Sequence, residues 1–135
     1  MKKLLFVMSL LLLFVVSCGS KKAADSNVIK IGVIAPLTGD VAQYGVAVKN
    51  GVQLKVDELN AAGGINGKKI ELVVADSKGE SQEAVNIFKK MVSQDKVNLV
   101  IGEVISSASI AVSELAQKAK VPMITASGTA LDITK

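Results

Sequence analysis

The side chains able to carry chemistry are few in kind. The 135-residue chain has no His, and its one Cys is Cys18. Zinc sites built on His and Cys, and nucleophiles activated by His, therefore lie outside its inventory. Ser, Thr, Tyr, Lys, Asp and Glu remain. Ser93 and Lys96 stand at an S-x-x-K spacing, an acyl-enzyme signature, but at the end of a helical segment and without its companion motifs. We read that pair as coincidence. The turn after the first apolar run is APLTG at 35–39, with neither G-x-G-x-x-G nor a Walker sequence, so the phosphate cradle of a nucleotide enzyme is missing. No metal and no cofactor is expected.

Two short segments concentrate hydroxyls: GEVISSAS at 102–109 and ASGTA at 126–130. Short hydroxyls and loop amides recognise a zwitterion without carrying net charge themselves. A helix starting in the first segment would add N–H groups that favour an anion. Plainer readings stand beside this one. Ser106 and Ser107 also read as helix caps, Ser127-Gly128-Thr129 as turn chemistry, and Tyr44 as a surface-packing ring at a helix start.

The elements that position these residues follow from hydropathy patterning. Residues 28–35 (VIKIGVIA) are β-branched and apolar and stop at Pro36, as a buried parallel strand does. Residues 44–62 carry Val48, Val52, Val56, Leu59 and Ala62 on one helical face, and Gly63-Gly64 ends that helix. A second strand is expected at 70–75 and a second helix at 81–93, with Ala84, Phe88, Met91 and Val92 inward. A third strand falls at 97–101. A third helix follows at 107–119 with Ala108, Ala111, Val112, Leu115 and Ala119 on one side, then a fourth strand at 121–125. Strictly alternating strand and helix predict an α/β fold, a parallel sheet with helices on both faces. Ligands of such sheets sit at the carboxyl ends of the strands, where the strand order reverses. The hydroxyl-rich loops fall at that end, with the loop PLTGD at 36–40 and its continuation to Tyr44.

The N-terminus reads as an address. Lys2-Lys3 precede a thirteen-residue apolar run at 4–16 broken only by Ser9, then small residues, the pattern of a secretory signal. A permanent helical span takes about 20 apolar residues, so the run is short for an anchor. Residues 1–17 are expected to be a signal peptide, 18–27 a small, polar tether, and 28–135 a ligand-binding lobe. The sequence VVSCG at 15–19 resembles the lipobox of bacterial lipoproteins, which implies diacylglycerol on the Cys18 thiol and a lipid anchor at that residue. An uncleaved signal anchor or a buried free Cys are the bland alternatives.

The formal charge of +4 comes from 16 Lys, without Arg, against 12 acidic residues. Removal of residues 1–17 would leave 14 Lys against the same 12, close to neutral. With no guanidinium and no basic stripe interleaved with aromatics, nucleic acid is not an expected partner.

Four ordered segments resemble the leucine/isoleucine/valine-type substrate-binding proteins of ABC transporters, with the type I periplasmic-binding fold. They are IGVIAPLTGDVAQYG at 31–45, DELNAAGGINGKKIELVVAD at 57–76, VIGEVISSAS at 100–109 and PMITASGTA at 122–130. The resemblance implies a flavodoxin-like strand order and an exported, lipid-anchored protein of the cell envelope. Its ligand would be a branched-chain or similar aliphatic amino acid, and its partner a permease in the cytoplasmic membrane. By the same resemblance Ser106 would bind the ligand carboxylate through its hydroxyl, Ser127 and Gly128 would lie in the loop offering backbone groups, and Thr129 would contact ammonium and carboxylate. Tyr44 would pack near the ligand side chain.

The chain also departs from that family. Some members join the loops after the second and third strands by a disulfide, where Gly79 and Ile105 stand here. The family closes two lobes on its ligand, and the sequence reads only as far as the first. A sensory domain of the same fold and a truncated, non-binding remnant are the competing readings; an enzyme is not expected.

Overall fold

The computed structural model describes residues 27–135, so the expected signal, tether start and Cys18 lie outside the described residues. Strand β1 (Val28–Ala35) is buried from Ile31 onward. It pairs in parallel with β2 (Lys69–Asp76) on one side and β3 (Leu99–Ile101) on the other, and β3 pairs in parallel with β4 (Met123–Ile124). The order β2-β1-β3-β4 is the flavodoxin-like order that the family resemblance implies.

Helices cover both faces, and the alternation of side chains along the strands decides which residue meets which helix. Helix α1 (Ala42–Ala61) lies on the face of Ile29, Ile31, Ile70, Leu72, Leu99 and Ile101, touching it through Val52, Val56 and Leu59. The opposite face, with Ile34 and Val100, packs against α2 (Ser81–Lys90) and α3 (Ser106–Ala119) through Ala84, Phe88, Ala108, Val112 and Ala116. Phe88 and Met91 fill this second core, the larger of the two.

Several boundaries differ from the sequence expectation for local reasons. Helix α2 does not run to 93 as an α-helix: after Lys90 it widens into a π-helical turn, Met91–Asp95, closed by Val97 N–H on Met91 O at 3.1 Å. That bond takes the Val97 amide out of the sheet, so β3 begins at Leu99 rather than 97. Strand β4 is only two residues long; Pro122 before it has no N–H to give, and its carbonyl accepts from Val100 N at 2.9 Å. Ala62 and Ala119, expected inward, are exposed, and Ala116 takes the buried place at the end of α3. There Lys120 turns left-handed and ends the helix ahead of β4.

Gly45 and Gly102 are required by close approach. A Cβ on Gly45 would stand 1.9 Å from Pro36 O, and one on Gly102 would stand 2.0 Å from Ile34 O at a φ of +125°. The first lets α1 lie against the loop leaving β1, and the second lets the chain leave β3 beside β1. Asn60 joins the end of α1 to the start of β2, its amide donating to Ile70 O and its carbonyl accepting from Ile70 N, both at 2.8 Å.

Candidate functional site

Strand order reverses between β1 and β3. The first connection runs from β1 to β2 on one side and the third from β3 to β4 on the other, opening a crevice at the carboxyl ends of β1 and β3. Four loops meet there. The loop leaving β1 is held by Asp76, the last residue of β2. Its Oδ1 accepts from Leu37 N at 2.7 Å and from Lys78 N at 2.8 Å, and its Oδ2 accepts from Thr38 Oγ1 at 2.5 Å. Partial burial pushes the Asp76 pKa up, and hydrogen bonds from Thr38 and from the amides of Leu37 and Lys78 outweigh it, lowering the value from 3.8 to about 2. Gly79, in the loop after β2, lies where an added Cβ would be 3.1 Å from Val41, 3.7 Å from Ile105 and 3.9 Å from Pro36. Gly79 and Ile105 are thus neighbours, as the departure from the disulfide pattern suggests.

The loops after β3 and β4 are stitched together by hydroxyls. Ser127 Oγ donates to Val104 O at 2.9 Å, and Thr129 N–H donates to Ser106 Oγ at 3.2 Å. Gly128 N–H donates to Thr125 Oγ1 at 3.0 Å, and Thr125 Oγ1 in turn donates to Glu103 O at 2.7 Å. A side chain on Gly128 would meet Ile133 Cδ1 at 2.5 Å and Thr125 Oγ1 at 2.7 Å, so the loop is closed against its own 3-10 turn, Leu131–Thr134. Ser106 is the first residue of α3 rather than its cap: Ile105 occupies the cap position, with no side-chain capping bond. Neither serine therefore serves as the helix cap that the plainer reading offered. An Oγ that accepts one N–H keeps its own O–H to donate, so Ser106 can offer a hydrogen to an anion beside the first amides of α3.

The structure brings Ser106 and Thr129 into direct contact and places Ser127 and Gly128 on the same loop edge. Tyr44 stands apart from this stitching, in the first turn of α1 beside the β1 loop, with 56% of its surface exposed. Sequence reasoning passed over Glu103, Ser109 and Thr125, which hold the loops from behind. The signal was there for Glu103: an acid flanked by Val100, Ile101, Val104 and Ile105 is out of place unless something needs it. It is 1% exposed.

Residues 28–135 match the model of a family described as periplasmic binding protein. The chain belongs to that family. A Leu/Ile/Val-binding protein of Rhizobium johnstonii is 48% identical over 107 residues, 79% of this chain and 29% of the relative. Among solved structures, a branched-chain amino acid transporter substrate-binding protein of Streptococcus pneumoniae in complex with isoleucine superposes with a TM-score of 0.77 at 46% identity. It covers 79% of this chain and 31% of that one. A solute-binding protein of an ABC transporter of Rhodopseudomonas palustris, in complex with 3,4-dihydroxybenzoic acid, gives 0.75 at 30% identity over 80% and 29% of the two chains. The chain thus spans less than a third of the length of these periplasmic binding relatives. Its sheet order and helix placement are those of the type I periplasmic-binding fold.

Proposed function

We propose that this chain forms the first-lobe portion of an extracytoplasmic solute-binding lipoprotein that captures aliphatic amino acids for uptake by an ABC permease. The observation that carries the reading is the stitched edge at the switch point. Ser106 at the start of α3 and the Ser127-Gly128-Thr129 loop at the end of β4 form one hydroxyl-and-amide rim. The Ser106 O–H, which that stitching leaves to donate beside a helix N-terminus, suits a carboxylate, and both solved neighbours named above were crystallised with carboxylates.

In this reading Ser106 donates its hydroxyl to the ligand carboxylate, the loop at Ser127 and Gly128 supplies backbone groups, and Thr129 touches both ends of the zwitterion. The exposed ring of Tyr44 lies against the ligand side chain. Nothing in this arrangement pairs a nucleophile with a base, and we read the protein as a binder rather than an enzyme. The Cys18 lipid anchor and export to the cell envelope belong to the same proposal, supported by the lipobox-like VVSCG at 15–19.

Calorimetric titration and thermal shift of the natural protein against L-isoleucine, L-leucine, L-valine and 3,4-dihydroxybenzoate test the ligand. A ligand at 100 times its Kd raises stability by about 2.7 kcal/mol. A shift with the aliphatic amino acids, lost in Ser106→Ala, is expected. A shift with the aromatic acid alone would move the protein to another ligand class within the fold. Globomycin-sensitive processing that disappears in Cys18→Ala is the expected behaviour of the anchor, and unchanged membrane fractionation of that variant would overturn it.

A further inference from the structure

Glu103 sits two residues beyond the end of β3 with its carboxylate enclosed in the protein. A buried carboxylate is costly unless it is paired or well hydrogen-bonded. The ion pairs among the described residues are Lys55–Glu58, Lys90–Asp95, Lys118–Glu114 and Lys135–Asp132, so Glu103 is held without a cation in any of them. Its partners are neutral donors from three separate elements. Ser77 Oγ, just beyond β2, donates to Oε1. Ile105 N–H, at the start of α3, donates to Oε2 at 2.8 Å. The Glu103 carbonyl accepts from Ser109 Oγ in α3 at 2.9 Å and from Thr125 Oγ1 beyond β4 at 2.7 Å.

Every partner leads on to the candidate rim. Ile105 precedes Ser106, whose Oγ accepts from Thr129 N. Thr125 accepts from Gly128 N. Ser77 accepts from Gly79 N at 3.2 Å, and Gly79 packs beside Ile105. A leucine of similar size would cost less to bury than this acid, so an apolar plug is not what the position provides. A fully satisfied polar cluster instead fixes one arrangement of the groups around it.

We propose that Glu103 is the positioning residue of the ligand rim: its carboxylate clasps the loops after β2 and β3 through Ser77 and Ile105 and so seats Ser106 against Thr129 N, and the main-chain carbonyl it thereby holds in place anchors Thr125 beneath Gly128 N. This inference rests on the proposed site, and its test separates the two.

Backbone amide exchange is measured without ligand, and L-isoleucine affinity by calorimetry, on the natural protein and its Glu103→Ala, Glu103→Gln and Ser77→Ala variants. Glu103→Gln keeps an acceptor for Ile105 N–H and can donate to Ser77 Oγ, so it serves as the conservative rescue. In Glu103→Ala, which loses the carboxylate's hydrogen bonds from Ser77 and Ile105, exchange at Ile105, Gly128 and Thr129 accelerates and affinity falls by about tenfold or more. Glu103→Gln returns affinity to within about threefold of the natural protein. Ser77→Ala moves the same amides in the same direction, and it decides the matter if Glu103→Ala fails to fold. The proposal is overturned if Glu103→Ala lowers Tm but leaves exchange at Gly128 and Thr129 and the isoleucine Kd unchanged, because a merely structural acid would do that. Absence of isoleucine binding by the natural protein, with the amides still responding, would sink the ligand reading and leave the clasp standing.

Discussion

Asp76 shows how one carboxylate can hold a loop that has no secondary structure of its own. Three donors from residues 37, 38 and 78 converge on it, and their preference for the charged form brings its pKa to about 2. The folded value lies below the unfolded one. Its contribution to stability is therefore fully present above pH 3.8 and lost as pH falls through about 2. Asp76→Asn, which keeps the shape but gives up one acceptor oxygen, is expected to lose about 1–2 kcal/mol at pH 7. The gap to the natural protein should narrow toward pH 2, as urea midpoints at several pH values would show. Parallel pH profiles for the two proteins would contradict the assignment.

At the scale of elements, the seating of α1 depends on a missing methyl. Gly45 lies in the first turns of the helix with Pro36 O where its Cβ would be, whereas Gly51, one face away, meets nothing within 4 Å. The same substitution should therefore have opposite signs. Gly45→Ala is expected to cost about 2–4 kcal/mol through displaced backbone, and Gly51→Ala to gain about 0.5–1 kcal/mol through helix propensity. Chemical denaturation of the two variants checks the pair, and equal effects would refute the close approach. Because α1 carries Tyr44 and follows the Asp76-held loop, Gly45→Ala should also loosen that ring's position.

For the molecule as a whole, the informative feature is apolar surface near β4, the edge strand of the sheet among the described residues. Ile124 in β4 is 62% exposed and Leu131, just beyond it, 79%. An edge strand with an exposed aliphatic side chain invites pairing with another chain. A polypeptide of residues 27–135 made by itself is expected to associate as concentration rises, and Ile124→Lys to suppress that association. Sedimentation velocity across a concentration series is the measurement, and a monomer at all concentrations would remove the prediction.

Alternating periodicities were enough to determine the α/β class, the parallel sheet and the order of its elements. Val28–Ala35 carries its burial in its own β-branched run, and Ala84, Phe88 and Met91 declare an inward face by spacing alone. These are local or one-dimensional properties, and the four segments that resemble one family add the order of the loops. What spacing cannot encode is which hydroxyl meets which amide. Only the fold brings Ser106 to Thr129 and Ser127 to Val104, each pair 23 residues apart. The widened turn at Met91–Asp95 also escaped the sequence, because it follows from where the single amide of Val97 is used in three dimensions. Glu103 stands between the two kinds of knowledge. Its acidity in an apolar stretch was visible from the start, but the reason for it, donors arriving from β2, α3 and β4 at one carboxylate and its carbonyl, exists only once the sheet has closed.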